Sequence, residues 1–144
     1  MEEYMTPEME KPILPILKEL QGQHRCITPD MMVEVAEASG ATVGDVYGVA
    51  TFYSFLSVKL LGEHVIMVCK SIPCWMKNSD LVVKTIEQEL HCRVGETSED
   101  GKFSLLAVNC IGACDQAPAM MVDGQVYGDL TPEKVLEILS QLGR

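Results

Sequence analysis

The cysteines are the residues of this chain whose type and spacing could do chemistry. Four of the six cysteines form two close pairs, with four residues between Cys69 and Cys74 and three between Cys110 and Cys114. We call these residues the four paired cysteines. Each pair falls where a predicted strand ends and a loop begins. If both strands end at the same edge of one sheet, the four thiolates converge on one point.

Three kinds of site fit that spacing. Thiolates are soft donors, and a [2Fe–2S] cluster takes four of them, two for each iron. Gly112 and Pro118 beside the second pair favour a loop whose backbone N–H groups approach sulfur. Two cysteine pairs also hold structural zinc, although usually with two-residue gaps. A redox dithiol is disfavoured by the absence of C-x-x-C. Spacing alone leaves all three open.

The remaining candidates for chemistry are few. Cys26 and Cys92 stand alone, and single cysteines usually behave as small buried hydrophobes. The three histidines are scattered and fit surface or strand-edge positions. No G-x-G-x-x-G or G-x-x-x-x-G-K phosphate cradle occurs in the sequence. If this chain takes part in nicotinamide chemistry, another subunit must therefore hold the nucleotide.

Helical signals dominate the N-terminal half, which we predict to be a bundle over residues 1–61. Apolar residues recur at helical spacing over Lys11–Gln23. Thr28 caps a second helix that stops at Gly40, and Thr42 with Asp45 forms a capping box for a third. The apolar segment 52–61 is predicted to complete the bundle with a fourth short helix.

In residues 62–144 short apolar runs separated by turn signals replace the helical spacing. This pattern predicts a small sheet with a helix near each end. Ser79 is expected to cap the first of these helices, over Asp80–Leu90, and Thr131-Pro132 the last one. The predicted strands are His64–Cys69, Val94–Thr97, Lys102–Val108, Met120–Val122 and Gln125–Tyr127. The fold class is therefore α+β, a helical bundle followed by a thioredoxin-like α/β domain.

Charge and hydropathy narrow the function classes. The net charge of −10 disfavours nucleic acids and anionic membrane surfaces. The acidic start at Met1-Glu2-Glu3 does not resemble a secretory signal, and the apolar runs fall far short of the ~20 residues that span a bilayer. We expect a cytoplasmic protein without direct membrane insertion, in which structural disulfides are disfavoured.

Four segments together resemble one known family. They are the first cysteine pair, Tyr47–Tyr53 (YGVATFY), Cys110–Pro118 (CIGACDQAP) and Leu130–Val135 (LTPEKV). They are similar to the small thioredoxin-like [2Fe–2S] subunit of respiratory NADH dehydrogenase (complex I). Relatives of that subunit occur in NAD(P)-linked hydrogenases, formate dehydrogenases and electron-bifurcating complexes. The resemblance runs from about Ile13 to Leu139.

The resemblance implies an electron-transfer subunit that is not catalytic by itself. It implies one [2Fe–2S] cluster, with FMN and NAD(H) bound only by a flavoprotein partner, and further iron–sulfur, hydrogenase or dehydrogenase subunits. We expect residues 1–61 to dock the partner. The alternative is a zinc-stapled scaffold subunit without redox activity. The ligands that the resemblance implies are Cys69, Cys74, Cys110 and Cys114.

The first cysteine loop departs from the family pattern. Family members often have Gly-Thr or Gly-Ser inside this loop, where this chain has Ser71-Ile72. Asn78 stands where a glycine commonly follows the second ligand. Among the residue types, only glycine tolerates left-handed backbone geometry better than asparagine does. We therefore expect Asn78 to form the same turn.

Overall fold

Three helices make up the N-terminal part of the chain. A computed structural model describes residues 12–143; the Lys11 start predicted for the first helix lies outside them. Helix α1 spans Ile13–His24, α2 Pro29–Ser39 and α3 Val43–Phe52. Their apolar stripes meet in one core that contains Leu17, Ile27, Met32, Val35, Ala36, Val46, Ala50 and Leu56.

The ends of these helices follow the predicted caps. Thr28 Oγ1 accepts the Met31 N–H at 3.3 Å, and Gly40 ends α2 at φ 70°. At α3 the capping box is complete, because the Asp45 N–H donates to Thr42 Oγ1 and the Thr42 N–H donates to Asp45 Oδ2. Local side-chain chemistry thus sets these boundaries.

The predicted fourth helix over residues 52–61 is wrong. The chain leaves α3 at Tyr53 in extended geometry, and residues 54–61 form turns and bends. The Ser57 N–H donates to Gln21 Oε1 at 2.9 Å, and the Ser57 carbonyl accepts the Ile27 N–H at 2.8 Å. Because these groups bond to other segments, the backbone needs no helix here.

A five-stranded sheet forms the C-terminal part, in the order β2-β3-β1-β4-β5. The strands are β1 (His64–Cys69), β2 (Glu96–Thr97), β3 (Phe103–Val108), β4 (Met120–Val122) and β5 (Gln125–Tyr127). Strands β1 and β3 are parallel, and the other pairs are antiparallel. Asp123 and Gly124, both at positive φ, make the predicted two-residue turn between β4 and β5.

Three α-helices accompany this sheet: α4 (Ile72–Met76), α5 (Ser79–Leu90) and α6 (Pro132–Leu142). A short 3₁₀ helix, Cys114–Gln116, begins at the last candidate cysteine. Thr131 Oγ1 caps α6 by accepting the Lys134 N–H at 3.3 Å, as predicted. The apolar faces of α5 and α6 and of the sheet bury a common core around Ile66, Ile86 and Leu105. This arrangement confirms the predicted α+β class.

Two details of the C-terminal half differ from the prediction. Ser79 is the first residue of α5 and not its cap; the cap position is Asn78, at φ 62°. The left-handed geometry expected at Asn78 is therefore confirmed. Strand β2 begins at Glu96 instead of Val94, because the Glu96 side chain accepts the Arg93 N–H and the backbone turns there.

Helix α4 was not predicted at all. Its five residues are too few to show helical periodicity, and the second of them is Pro73. The chain divides into two compact units, the first ending at Leu60 and the second beginning at Leu61. Among the described residues, no helix has both the length and the apolar composition needed to cross a bilayer.

Candidate metal centre

Two loops that carry cysteines leave the same edge of the sheet. Strands β1 and β3 run parallel with Cys69 paired to Val108, so both strands end at this edge. The Lys70 N–H donates to the Val108 carbonyl at 3.0 Å, and the Cys69 N–H donates to the Ala119 carbonyl at 3.3 Å. These bonds hold the first loop, residues 70–78, beside the second, residues 109–119.

The first pair of cysteines is buried. Cys69 is the last residue of β1, and Cys74 lies in α4. Cys69 Sγ lies 3.0 Å from Ser71 Oγ, and the Cys69 thiol also donates to the Asn109 carbonyl at 3.0 Å. The Cys69 sulfur thus sits between the two loops, with a hydroxyl in hydrogen-bond contact.

The second pair of cysteines faces solvent. Cys110 and Cys114 are exposed, and their sulfur atoms lie 3.9 Å apart. Between them Gly112 adopts φ 80°, and its N–H donates to Cys110 Sγ at 3.4 Å. The left-handed backbone of Gly112 turns this N–H toward the sulfur. Glycine suits the position because it adopts that conformation without strain.

The thiols of the two loops influence each other electrostatically. Burial raises the pKa of Cys74, and the neighbouring Cys69 and Cys114 thiols add to that rise. The hydrogen bond and charge of Cys110 raise the pKa of Cys114. For Cys69, burial opposes ionisation, but hydrogen bonds led by the Ser71 hydroxyl and backbone outweigh it and lower the pKa. Ionisation of Cys69 is therefore favoured, and ionisation of Cys74 and Cys114 is disfavoured. A bound cation would favour the thiolate form of all its ligands.

This set of donors suits a two-iron cluster. The thiols lie as two pairs, one buried and one exposed, and a [2Fe–2S] cluster takes two thiolates for each iron. The Gly112 N–H donates to Cys110 Sγ, and the Ser71 hydroxyl lies within hydrogen-bond distance of Cys69 Sγ. The site belongs to a protein of α+β fold whose paired thiols could ligate a metal centre.

The other two cysteines lie elsewhere. Cys92 is packed in the core of the C-terminal unit, and burial raises its pKa. Cys26 is half-buried beside Ile27, in the N-terminal unit. Among the histidines, His64 lies at the start of β1, and its Nδ1 is hydrogen-bonded at 2.6 Å to Oδ2 of Asp123 in the turn between β4 and β5. None of these contacts involves the four paired cysteines.

Sequence reasoning noted Ser71 only as a departure from the family pattern. Its hydroxyl nevertheless lies within hydrogen-bond distance of Cys69 Sγ. The available signal was its position two residues after the cysteine, in a loop that must turn back toward the sulfur. Spacing gave no indication that the side chain would point inward.

Comparison with known proteins identifies the family. The family model for thioredoxin-like [2Fe-2S] ferredoxins matches residues 1–143. The E subunit of NADH-quinone oxidoreductase from Pseudomonas aeruginosa is 39% identical over 123 residues, which cover 85% of this chain and 74% of that protein. The corresponding E subunit from Rickettsia bellii is 38% identical over 131 residues, or 90% of this chain and 78% of that protein.

A solved structure shows the same fold. The crystal structure of a NAD+-reducing [NiFe]-hydrogenase in the air-oxidized state matches with a TM-score of 0.77 at 17% identity, over 96% of this chain and 24% of that chain. The chain belongs to the thioredoxin-like [2Fe-2S] ferredoxin family. The predicted resemblance and the thioredoxin-like fold class are thereby confirmed, and a [2Fe–2S] cluster is the cofactor that this family implies.

Proposed function

We propose that this chain is the electron-transfer subunit of a multi-subunit NAD(P)(H)-dependent oxidoreductase. The observation that carries the proposal is that both cysteine loops leave the same edge of the sheet, with one cysteine pair buried and the other exposed. The four paired cysteines would hold one [2Fe–2S] cluster, which accepts or donates one electron at a time. The chain itself makes and breaks no substrate bond.

The residues around the sulfur atoms have separate roles in this proposal. The buried pair, Cys69 and Cys74, anchors the site to β1 and α4 and excludes water from one side. The exposed pair leaves the other side open, where a partner's redox centre could approach. The Gly112 N–H donates to Cys110 Sγ, and the Ser71 hydroxyl would donate to Cys69 Sγ once that sulfur is a thiolate; both hydrogen bonds would favour the more negatively charged state of the site.

The partners follow from the relatives. The curated relatives are subunits of NADH-quinone oxidoreductase, and the structural relative is a NAD+-reducing hydrogenase. We infer a flavoprotein partner that carries FMN and the NAD(H) site, together with further iron–sulfur, hydrogenase or dehydrogenase subunits. Formate dehydrogenase and electron-bifurcating assemblies are further parent complexes that the family resemblance implies. The chain would work in the cytoplasm, at most peripheral to a membrane complex.

The test of the proposal is whether the purified chain carries a redox-active cluster. A [2Fe–2S] protein is red-brown, contains iron and acid-labile sulfide, and loses visible absorption with dithionite. A colourless protein with stoichiometric zinc would instead support a zinc-stapled scaffold. A colourless, metal-free protein with reactive thiols would support a thiol oxidoreductase.

Ser71→Ala is expected to make the reduction potential of the cluster more negative. The reduced cluster carries one more negative charge, and the Ser71 hydroxyl, 3.0 Å from Cys69 Sγ, stabilises that charge. A lost hydrogen bond of about 1 kcal/mol corresponds to about 40 mV for one electron. Redox titration followed by visible absorption measures the shift.

Ser71→Thr is the matched control for that prediction, because it keeps the hydroxyl. Its potential should stay near the wild-type value, and both variants should retain full iron and sulfide content. Equal potentials for Ser71→Ala and the wild type would show that this hydroxyl does not stabilise the reduced site.

The N-terminal unit is the proposed docking element. It contains none of the four paired cysteines, yet several large apolar side chains around the end of α3 are exposed. Phe52 is 78% exposed, and Tyr47, Phe55, Val58 and Leu60 are exposed as well. Contiguous exposed apolar side chains mark partner surfaces, since water contact with them is unfavourable. The cluster function would then reside in residues 62–144.

A truncated chain of residues 62–144 should still assemble the cluster and bind the flavoprotein far more weakly than the full chain does. It keeps both cysteine loops and loses the exposed aromatic residues around α3. A pull-down with the flavoprotein subunit measures retention, and visible absorption measures cluster content. A milder comparison is Phe52→Ser in the full chain. Equal retention by the truncated and the full chain would move the interface entirely to the cluster-binding half.

A further inference from the structure

Helix α4 presents an apolar face to solvent directly beside the candidate site. Ile72, Trp75 and Met76 recur at the i, i+3, i+4 spacing of one helix face, and they are 71%, 60% and 72% exposed. Cys74, on the opposite face, is buried. We call these three residues the α4 face. One short helix therefore carries a candidate ligand inward and three large apolar side chains outward.

Such a face is unfavourable on a protein that works alone. Exposing a tryptophan, an isoleucine and a methionine together leaves a large apolar surface in water, and removing that surface from water would be favourable. Tryptophan is also the residue most enriched among the energetic hot spots of interfaces, and methionine adapts to an irregular opposing surface. The composition of the α4 face is that of an interface centre.

The charge around the α4 face indicates what covers it. The chain has 21 acidic and 11 basic residues. Between Glu63 and Asp80, however, its only Lys, Arg, Asp or Glu residues are Lys70 and Lys77. Both lysines are exposed. The second cysteine loop, residues 109–119, adds only Asp115. With Lys70 and Lys77 in the first loop and Asp115 in the second, the two cysteine loops carry a net charge of +1 on a chain of net charge −10, and Asp80 follows two residues after the first loop ends. The two lysines beside the α4 face favour a partner with carboxylates at the matching rim.

A second copy of the chain fits this face poorly. Two copies would each bring a net charge of −10, so their approach is opposed by long-range repulsion. The position of Trp75, the residue after Cys74, instead favours the protein that exchanges electrons with the site. A one-electron exchange needs the two redox centres close together, and contact through the cysteine loop itself brings the partner nearest.

We propose that the α4 face, bordered by Lys70 and Lys77, docks the flavoprotein subunit, which meets it with an apolar surface rimmed by Asp and Glu. This inference rests on the proposed electron-transfer function and names the contact through which that function operates. It adds a contact on the cysteine loop to the one proposed for the N-terminal unit. Trp75 is the central side chain of the contact.

The direct test uses Trp75 as a probe in the full chain. The sequence contains one tryptophan, so 5-fluorotryptophan labels a single position and gives one ¹⁹F resonance. Addition of the purified, unlabelled flavoprotein subunit should shift and broaden this resonance. A resonance unchanged at saturating flavoprotein, with binding verified by gel filtration, would overturn the proposal.

Affinity measurements test the energetic role of the α4 face. Trp75→Ser, and separately Ile72→Ser with Met76→Ser, should weaken flavoprotein binding about tenfold or more. Leu136→Ser on α6 is the matched control, because Leu136 is also exposed and apolar, at 41%, and should leave affinity unchanged. Cluster absorbance, measured on every variant, shows that the α4 substitutions leave the site loaded.

Charge reversal tests the rim. Lys70→Glu with Lys77→Glu should slow association with the flavoprotein and remove most of its sensitivity to salt, whereas Lys84→Glu on α5 should change neither. An unchanged affinity of Trp75→Ser would overturn the proposal. So would a wild-type dimer at micromolar concentration that Trp75→Ser dissociates, because the occupant would then be a second copy.

The same experiments separate this inference from the proposed function. Binding is read out as affinity, and electron transfer depends on cluster content. A colourless wild-type chain whose flavoprotein affinity still falls with Trp75→Ser would refute the electron-transfer function and keep the docking surface. A red-brown chain whose affinity does not depend on Trp75 would do the opposite.

Discussion

Alanine in place of any one of the four paired cysteines is expected to remove most of the [2Fe–2S] cluster. Each iron takes two of the four thiolates, so one missing sulfur leaves an iron with an incomplete tetrahedron. Loss should be as severe for the buried Cys74 as for the exposed Cys114, because ligation and not burial decides it. Iron and acid-labile sulfide assays on the purified variants, with visible absorption, measure the effect.

The other two cysteines provide the matched controls. Cys26→Ala and Cys92→Ala should keep full cluster content, since Cys92 is packed in the core and Cys26 belongs to the N-terminal unit. Cys92→Ala should lower the free energy of unfolding by about 1 kcal/mol, because it leaves a small void in the core. Cluster loss in Cys92→Ala together with retention in Cys114→Ala would contradict the ligand assignment.

The second large effect concerns NADH. The isolated chain is expected to oxidise no NADH, and activity should appear only when the flavoprotein subunit is added. The sequence contains no glycine-rich phosphate cradle, and the proposed chemistry of this chain is one-electron exchange. NADH-dependent dye reduction measured with each protein alone, and then with both together, tests this expectation.

The Cys114→Ala variant separates binding of the flavoprotein from electron transfer to it or from it. Mixed with the flavoprotein, it should bind but fail to relay electrons to any acceptor that depends on this chain. Dye reduction by the purified chain alone, free of bound flavin, would show that it has a nucleotide site of its own. Full relay by the cluster-free variant would show that electrons bypass this subunit.

Local signals in the sequence determined most of the secondary structure. The caps at Thr28, Thr42 and Thr131 were predictable because one side chain and one backbone N–H three residues later settle each of them. Strand β1 and the hairpin of β4 and β5 were predictable for the same reason, since a β-branched apolar run and an Asp-Gly turn are short-range features.

The candidate site was also largely predictable. Two parallel strands that end in cysteine loops bring those loops to one edge, and the Cys69–Val108 register places them there. The sequence analysis made that convergence conditional on both strands ending at one edge, and the parallel pairing of β1 with β3 meets the condition. The assignment of the four paired cysteines as ligands remains a prediction for the alanine variants to test.

Other features were decided by tertiary structure alone. Residues 52–61 are apolar enough for a helix, yet the hydrogen bonds of Ser57 to Gln21 and Ile27 hold them in another conformation. Those partners lie about thirty residues or more away in the sequence, beyond the reach of any local pattern. Propensity is weak beside such contacts.

The surroundings of the site depend on tertiary structure in the same way. The sequence places Ser71 and Trp75 four residues apart. It does not show that the Ser71 side chain turns to the Cys69 sulfur and the Trp75 side chain to solvent. That division depends on how α4 packs Cys74 inward. Residue types and spacing thus indicate which chemistry the chain can perform. The direction of each side chain, and so the contacts that tune the site and dock a partner, is set only when separate segments pack together.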